Sequence, residues 1–126
     1  MKSKGFIALI STIIISAILL LVATSLSSAS FYNRSNILDA ELKERSFALA
    51  EGCVDAAVLK LAKNFNYSPA SGGETVDIGA DTCTIQSVEA SSAGKIIKTR
   101  SEYRNFVTNL EVEVDSDLSI TRFEEK

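Results

Sequence analysis

The two cysteines are the residues best suited to chemistry in this sequence. Cys53 and Cys83 are its only cysteines, and it contains no histidine. Their spacing is not that of a CxxC redox motif, and a zinc site would lack its usual nitrogen ligand. We therefore expect either a disulfide or two buried free thiols, and we predict no metal and no cofactor. A disulfide closing a ring of this size would stabilise the fold by roughly 3 kcal/mol.

The composition offers little to catalysis. The chain has 126 residues and lacks both His and Trp, so the usual general base is missing. The serine-rich stretch 24–30 has no base beside it, which leaves nucleophilic catalysis without support. We predict that the protein is not an enzyme, and a small secreted enzyme is the least favoured class.

Residues 95–104 carry a basic run with two interpretations. It could bind DNA, a glycan or another acidic partner, or it could be a solvated sheet edge balanced by nearby glutamates. The second is favoured, because Lys98 faces Glu111 in the hairpin described below. The run consists of Lys95, Lys98, Arg100 and Arg104, and the glutamates are Glu102, Glu111 and Glu113.

Asp115 and Asp117 are a weaker candidate, for calcium. Two acids in one short segment fall well short of the six to eight oxygen ligands that calcium takes. We expect a turn there.

Residues 6–26 form an uncharged apolar run, FIALISTIIISAILLLVATSL. A helix needs about 20 such residues to cross a bilayer, and hydroxyls within it can bond to the helix's own carbonyls. Lys2 and Lys4 precede the run, which predicts a cytoplasmic N-terminus and an exported remainder. The net charge of −3 includes those two lysines, so residues 5–126 carry −5 and no specific nucleic-acid binding is predicted.

Two conventional export routes fit this apolar run. One is a secretory signal cleaved near Ser30, although the run is longer than the 7–15 residues typical of such signals. The other is a signal anchor with no further processing. Each route exports the rest of the chain to an oxidising space, which favours the disulfide between Cys53 and Cys83.

The residues at the start of the run carry a family resemblance. Lys4-Gly5-Phe6 followed by a long apolar helix resembles the processing site of type IV prepilins. The resemblance implies a leader over residues 1–5, cleavage between Gly5 and Phe6 by a prepilin peptidase, and N-methylation of Phe6. The residues of the helix that would pack in the membrane or a filament are Ile7, Leu9, Ile10, Ile14, Leu19 and Val22.

One position departs from the main pilin pattern. Major pilins carry a glutamate at the fifth residue of the mature chain, where this sequence has Ile10. Some minor pilins and pseudopilins lack that glutamate too, and residues 47–57 resemble the helix of PilX-like minor pilins. The resemblance therefore implies a minor, initiating or tip-proximal subunit.

The helical pattern continues beyond the apolar run as an amphipathic helix over residues 27–65. Asp39–Lys43 and Glu41–Arg45 are acid-before-base pairs four residues apart, which stabilise a helix. Apolar residues recur at helical spacing and predict one buried face. That face is expected to contain Leu38, Leu42, Leu49, Ala50, Cys53, Val54, Ala56, Ala57, Leu61 and Phe65.

Residues 66–126 then change to the two-residue period of strands. If Arg104 and Asn105 form a two-residue turn, Tyr103 pairs with Phe106, and the pairing continues through Ile97 with Val112. Shorter strands are expected around residues 76–78 and 83–85, and a last one over Leu118 and Ile120. The expected fold class is α+β, pilin-like, with a long N-terminal helix packed on a small antiparallel sheet.

The leading hypothesis is a minor pilin or pseudopilin of a type IV pilus-like or type II secretion-like filament. Its partners would be a prepilin peptidase, other pilin subunits, the inner-membrane assembly platform and the membrane itself. It would sit in the inner membrane as a single-pass protein with an exported C-terminal domain, or in an extracellular filament. The alternative is a signal-anchored envelope protein that binds or adheres but does not assemble.

Overall fold

A computed structural model describes the backbone of residues 2–126 and the side chains of residues 5–126. The chain divides into two compact units, Met1–Asp39 and Ala40–Lys126. One helix and five strands follow one another, in the order expected for an α+β chain. They are α1 (Lys2–Lys63), β1 (Glu74–Ile78), β2 (Asp81–Ala90), β3 (Gly94–Tyr103), β4 (Phe106–Asp115) and β5 (Ile120–Glu125).

The five strands form one antiparallel sheet in sequential order, β1-β2-β3-β4-β5. The predicted hairpin is confirmed in its register, because Tyr103 pairs with Phe106 and Ile97 with Val112. Arg104 lies in the two-residue turn with a φ of 55°. Strict alternation in β4 buries every second residue, and this fixes which face of the sheet receives the helix.

A bulge in β2 keeps its apolar residues on the helix side. Ile85 pairs with Thr99, but the next pair is Ser87 with Lys98, so Gln86 is the extra residue. The bulge shifts the alternation by one, so that Val88 follows Ile85 into the core. Without it, Ser87 would face the helix instead.

The core of the second unit lies between one face of α1 and the sheet. The predicted helix face is confirmed for most of its central residues, which recur three or four apart and are 6% exposed or less, whereas Leu42 and Ala56 on that face are half-buried. Leu38 and Phe65, expected on the same face, are 51% and 43% exposed; Leu38 belongs to the first unit, and Phe65 follows the last helical residue. The core residues are Leu49, Ala50, Cys53, Val54, Ala57, Leu61, Cys83, Ile85, Val88, Ile97, Leu110, Val112 and Val114.

Hydroxyl groups extend the helix–sheet contact where the apolar core ends. Ser46 on α1 is fully buried, and its Oγ lies 3.1 Å from Ser101 Oγ, 3.0 Å from Thr108 Oγ1 and 3.1 Å from the Phe106 carbonyl. Ser101 Oγ donates to the Ser46 carbonyl at 2.5 Å. Ser46, Ser101 and Thr108 thus form a polar seam between α1 and the sheet. No buried side-chain nitrogen or oxygen among the described residues is left without a partner, so this seam avoids the cost of an unpaired polar group.

Lys43 closes this end of the seam. Its Nζ donates to Thr108 Oγ1 at 3.1 Å and forms an ion pair with Glu125 at 2.5 Å. The expected pair of Lys43 with Asp39 is therefore replaced by a partner on β5, whereas the expected Glu41–Arg45 pair is present at 3.1 Å. Phe47 and Phe123 meet beside it, with ring centroids 5.9 Å apart.

A second polar cluster joins the end of α1 to the start of the sheet. Lys60 and the Tyr67 hydroxyl both donate to the carboxylate of Glu74, and Lys60 Nζ lies 5.3 Å from the centre of the Tyr67 ring. These hydrogen bonds hold the pKa of Glu74 below its ordinary value. Burial and the bond to Glu74 raise the pKa of Tyr67. The cluster thus fixes the loop 64–73 between α1 and β1.

The turn between β4 and β5 corrects one detail of the expected last strand. Leu118, expected in that strand, lies in the turn with a φ of 63°, and β5 begins at Ile120. Asp115 Oδ1 accepts the backbone N–H groups of Asp117 and Ser119, both at 2.9 Å. The Asp115 carboxylate therefore serves as a turn cap, as expected for this acidic pair.

We expect Ser101→Ala to lower the free energy of unfolding by about 1–3 kcal/mol, because it removes a buried donor to the Ser46 carbonyl. The measurement is urea unfolding of the full chain in detergent micelles, followed by circular dichroism. Ser87→Ala is the matched control, since the Ser87 hydroxyl bonds only to exposed Glu89 on the same strand. Its effect should stay within about 0.5 kcal/mol. Equal effects for the two variants would contradict a role for the buried seam.

The pKa of Glu74 predicts an acid-dependent contribution to stability. Because its folded-state pKa is lowered, the stabilisation is present above the ordinary pKa of a glutamate and is lost as pH falls through the folded value. Glu74→Gln should therefore lower Tm at pH ~7 but leave it close to wild type below pH ~3. Asp77→Asn, on an exposed position of the same strand, is the control and should shift Tm little at either pH. A Glu74→Gln deficit that persists undiminished in acid would refute the assignment.

Candidate functional site

The apolar run of α1 is the most prominent functional candidate in the described chain. It is long and apolar enough to cross a membrane, and its apolar stretch is not buried by the rest of the described chain. The large apolar side chains between residues 6 and 26 are 42–70% exposed. The run is therefore a candidate single-pass membrane anchor close to the N-terminus.

The predicted packing residues lie around the whole circumference of the helix. At 3.6 residues per turn, Ile7 and Leu9 are more than a right angle apart, and Leu19 points away from Ile10. A helix that is apolar all round requires an apolar environment on every side. The set, all exposed in the structure, is Ile7, Leu9, Ile10, Ile14, Leu19 and Val22.

Hydroxyl groups within the run are satisfied by the helix itself, as the sequence predicted. Ser11 Oγ donates to the Ile7 carbonyl at 2.9 Å, and Ser16 Oγ donates to the Thr12 carbonyl at 2.7 Å. Thr12 Oγ1 donates to the Leu9 carbonyl at 2.8 Å. These bonds remove the main penalty for placing hydroxyls in hydrocarbon.

The residues of the predicted cleavage site are Gly5 and Phe6, which lie in the first turns of α1. Both are exposed, and a Cβ added at Gly5 would meet no atom within 4 Å. Met1 and the side chains of residues 2–4 lie outside the described residues, so the leader is described only in part. The site places a small residue directly before the apolar run, whose first residue is the exposed aromatic Phe6.

Sequence reasoning passed over a pair of aromatic residues further along the same helix. Phe31 and Tyr32 are 72% and 70% exposed, and with Phe6 they are the aromatic residues of the first unit. They share an exposed surface of the helix with Ser27 and Ser28, one turn earlier, and with Thr24, two turns earlier. The signal that could have found them is an aromatic pair between a hydroxyl-rich segment and Arg34.

The two cysteines are joined, which is the first of the two expectations for them. Cys53 on α1 and Cys83 on β2 form a disulfide, with their Cα atoms 6.1 Å apart. Both residues are buried, at 0% and 2% exposed. The bond links the helix covalently to the sheet at the middle of the core, which is a structural role.

The basic run of β3 is divided between the two faces of the sheet. Lys95 lies on the helix side with its Nζ 5.4 Å from the centre of the Phe65 ring, and Arg104 occupies the hairpin turn. Lys98 forms its ion pair with Glu89 at 3.0 Å, and this carboxylate raises the pKa of Lys98. The predicted register of Lys98 with Glu111 is present, but Glu89 on the neighbouring strand is the ion-pair partner. The division favours the structural interpretation of the run.

A lysine beside hydroxyl groups also occurs at the seam, where such a pair could in principle activate a nucleophile. Lys43 contacts Thr108 Oγ1, which contacts Ser46 Oγ. Thr108 and Ser46 are buried, and Lys43 is neutralised by Glu125. These contacts join the helix to the sheet, and they favour a structural role for the three residues.

Among the described residues, no three His, Cys, Asp or Glu side chains are placed to hold a metal ion.

Removing the disulfide should destabilise the second unit strongly. We expect Cys53→Ala/Cys83→Ala to lower the free energy of unfolding by about 3–4 kcal/mol, because the open chain regains the entropy of a 30-residue separation. The wild-type protein is also unfolded and refolded with a reductant, which breaks the disulfide but keeps both sulfur atoms. Its free energy of unfolding should fall by a similar amount. Reductant added to the folded protein should act slowly, since both sulfurs are buried. A loss under about 0.5 kcal/mol would contradict this role.

Comparisons with protein-family models, with curated proteins and with solved structures find no match for this chain. Three features of the chain bear on its function: the Gly5–Phe6 site, the exposed apolar helix, and the disulfide-linked helix and sheet that follow.

Proposed function

We propose that this protein is a structural subunit, a minor pilin or pseudopilin, of a type IV pilus-like or type II secretion-like filament. A prepilin peptidase removes residues 1–5, Phe6 is methylated, and the apolar helix holds the subunit in the inner membrane until it assembles with other pilin subunits on an assembly platform. The protein acts by assembly, and we assign no catalytic role to any residue.

The observation that carries the proposal is the contrast between two parts of one helix. Up to Leu26 the large apolar side chains of α1 are 42–70% exposed, whereas Leu49, Val54 and Leu61 are buried against the sheet. A subunit that waits in lipid and then packs against neighbouring helices requires this division, because its first part must be apolar on all sides while its second part must hold a stable domain.

The charge pattern supports the orientation and the class of subunit. Lys2 and Lys4 are the charges before the apolar run, so the positive-inside rule keeps the N-terminus in the cytoplasm and exports the domain that contains the disulfide. At position 10 an isoleucine stands where major pilins have a glutamate, and its side chain is apolar and partly exposed. This supports a minor or tip-proximal subunit in preference to the main filament subunit.

Mass spectrometry of the N-terminal peptide tests the proposal. The protein is recovered from membranes and from sheared filaments of its native host, and the expected peptide begins at Phe6 and carries one extra methyl group. An intact Met1 start while the prepilin peptidase is active would refute the proposal and leave a signal-anchored binding or adhesion protein. A start near Ser30 would indicate a conventional secreted protein.

The same assay applied to Gly5→Val should give an intact Met1 start and no protein in the filament fraction. The expected defect lies in cleavage, because a side chain at position 5 meets no atom of the described chain and leaves the fold undisturbed. Ala8→Val is the matched control, since it also adds bulk to an exposed position of the helix but lies outside the cleavage pair. Cleavage of the two variants at equal rates would contradict the role of Gly5.

A further inference from the structure

The aromatic residues of the first unit lie at two places on its helix. Phe6 opens the apolar run, and Phe31 and Tyr32 follow it, with no aromatic residue between them. At a rise of 1.5 Å per residue, Phe6 and Phe31 are about 37 Å apart along the helix. A bilayer has a hydrocarbon core of about 30 Å and is about 40–45 Å thick with its headgroups. The two aromatic positions therefore match the two headgroup layers.

The side chains at the second position have the chemistry of a headgroup layer. Tyr32 has an apolar ring with a polar tip, and Arg34 has a long apolar stem that ends in a charge. Both side chains are exposed in the structure. Tyrosine and arginine in this setting place the ring and stem in lipid and the polar end among phosphates and water.

Three hydroxyls at the end of the apolar run and just beyond it are paired within the helix. Thr24 Oγ1 donates to the Leu20 carbonyl at 3.0 Å, Ser25 Oγ to the Val22 carbonyl at 2.9 Å, and Ser28 Oγ to the Thr24 carbonyl at 2.7 Å. Because these hydroxyls are already paired, burying them in hydrocarbon leaves no donor unsatisfied. The exposed surface that Phe31 and Tyr32 share with Thr24, Ser27 and Ser28 presents mainly apolar atoms, which suits contact with acyl chains.

We propose that Phe31, Tyr32 and Arg34 form an interfacial anchor that sets the depth of the helix in the bilayer. The exit-side headgroups meet the helix at residues 31–34, and the lipid-embedded part extends beyond the apolar run through residues 27–30. The occupant of this surface is the lipid bilayer. The inference rests on the membrane anchoring contained in the proposed function, and it adds the residues that fix the exit boundary.

The absence of tryptophan from the chain makes a direct test possible. Single tryptophans are introduced as Phe31→Trp and Tyr32→Trp in the full chain, which is then reconstituted into phosphatidylcholine vesicles. Ile15→Trp, near the middle of the apolar run, is the deep reference, and Leu59→Trp, an exposed residue of the second unit, is the aqueous reference. Emission and its quenching by brominated lipids are measured, with bromines either near the headgroup or near the chain end.

The expected result is that Phe31→Trp and Tyr32→Trp emit at shorter wavelength than Leu59→Trp and lose most of their emission to bromines near the headgroup. Ile15→Trp should be quenched most by bromines near the chain end. Suppose that Ile15→Trp gives this result, but the tryptophans at positions 31 and 32 are not quenched and emit at the same wavelength as Leu59→Trp. The exit boundary then lies at the end of the apolar run, and the anchor is refuted.

Two other results of the quenching experiment would have different meanings. Short-wavelength emission at positions 31 and 32 without quenching by either lipid would mean that protein, not lipid, covers them, and it would overturn the inference. Absence of quenching at Ile15→Trp would instead refute the membrane anchoring itself and, with it, the proposed function.

Discussion

The packing of one face of α1 against the sheet is the interaction on which the second unit depends. The sheet is a simple meander with one apolar face, and that face needs a cover, since a single sheet of this size cannot bury its own side chains. Leu49, Val54 and Leu61 provide the cover, and the disulfide from Cys53 to Cys83 crosses the same contact. The thirteen buried apolar residues make a small core, for which a covalent link is a common reinforcement.

Polar groups extend this contact at both ends instead of interrupting it. Ser46 and Ser101 join helix and sheet beyond the last apolar layer, and Lys60 and Glu74 do so at the other end of the helix face. Because hydrogen bonds are directional, these contacts fix the position of the helix along the sheet more sharply than an apolar contact alone would. Gly52 contributes to the same fit, because a Cβ at that position would come within 2.7 Å of Ile78 Cδ1.

Much of this fold could be predicted from the sequence, because several of its elements follow from local patterns. The β3–β4 register was determined by strict alternation on either side of a two-residue turn, and the helix face by residues three and four apart. The bulge at Gln86 could not be foreseen, since nothing in the local pattern of β2 shows where its partner strand slips by one residue. The predicted register of Lys98 with Glu111 is confirmed, but the shifted strand also brings Glu89 close to Lys98, and Glu89 forms the ion pair. Ser46 was missed because a serine gives no apolar signal, although it is fully buried.

The hydroxyls along the first part of α1 have a consequence for any move that the helix makes between surroundings. Ser11, Ser16 and Ser28 each keep a hydrogen-bond acceptor one turn back on the same helix, so their bonding does not depend on what lies outside. Transfer from lipid to a bundle of protein helices, or back, would therefore break none of these bonds and require no water to replace them. These paired hydroxyls keep their hydrogen bonds in either environment, so they leave most of the free energy of transfer to the apolar surface of residues 6–26.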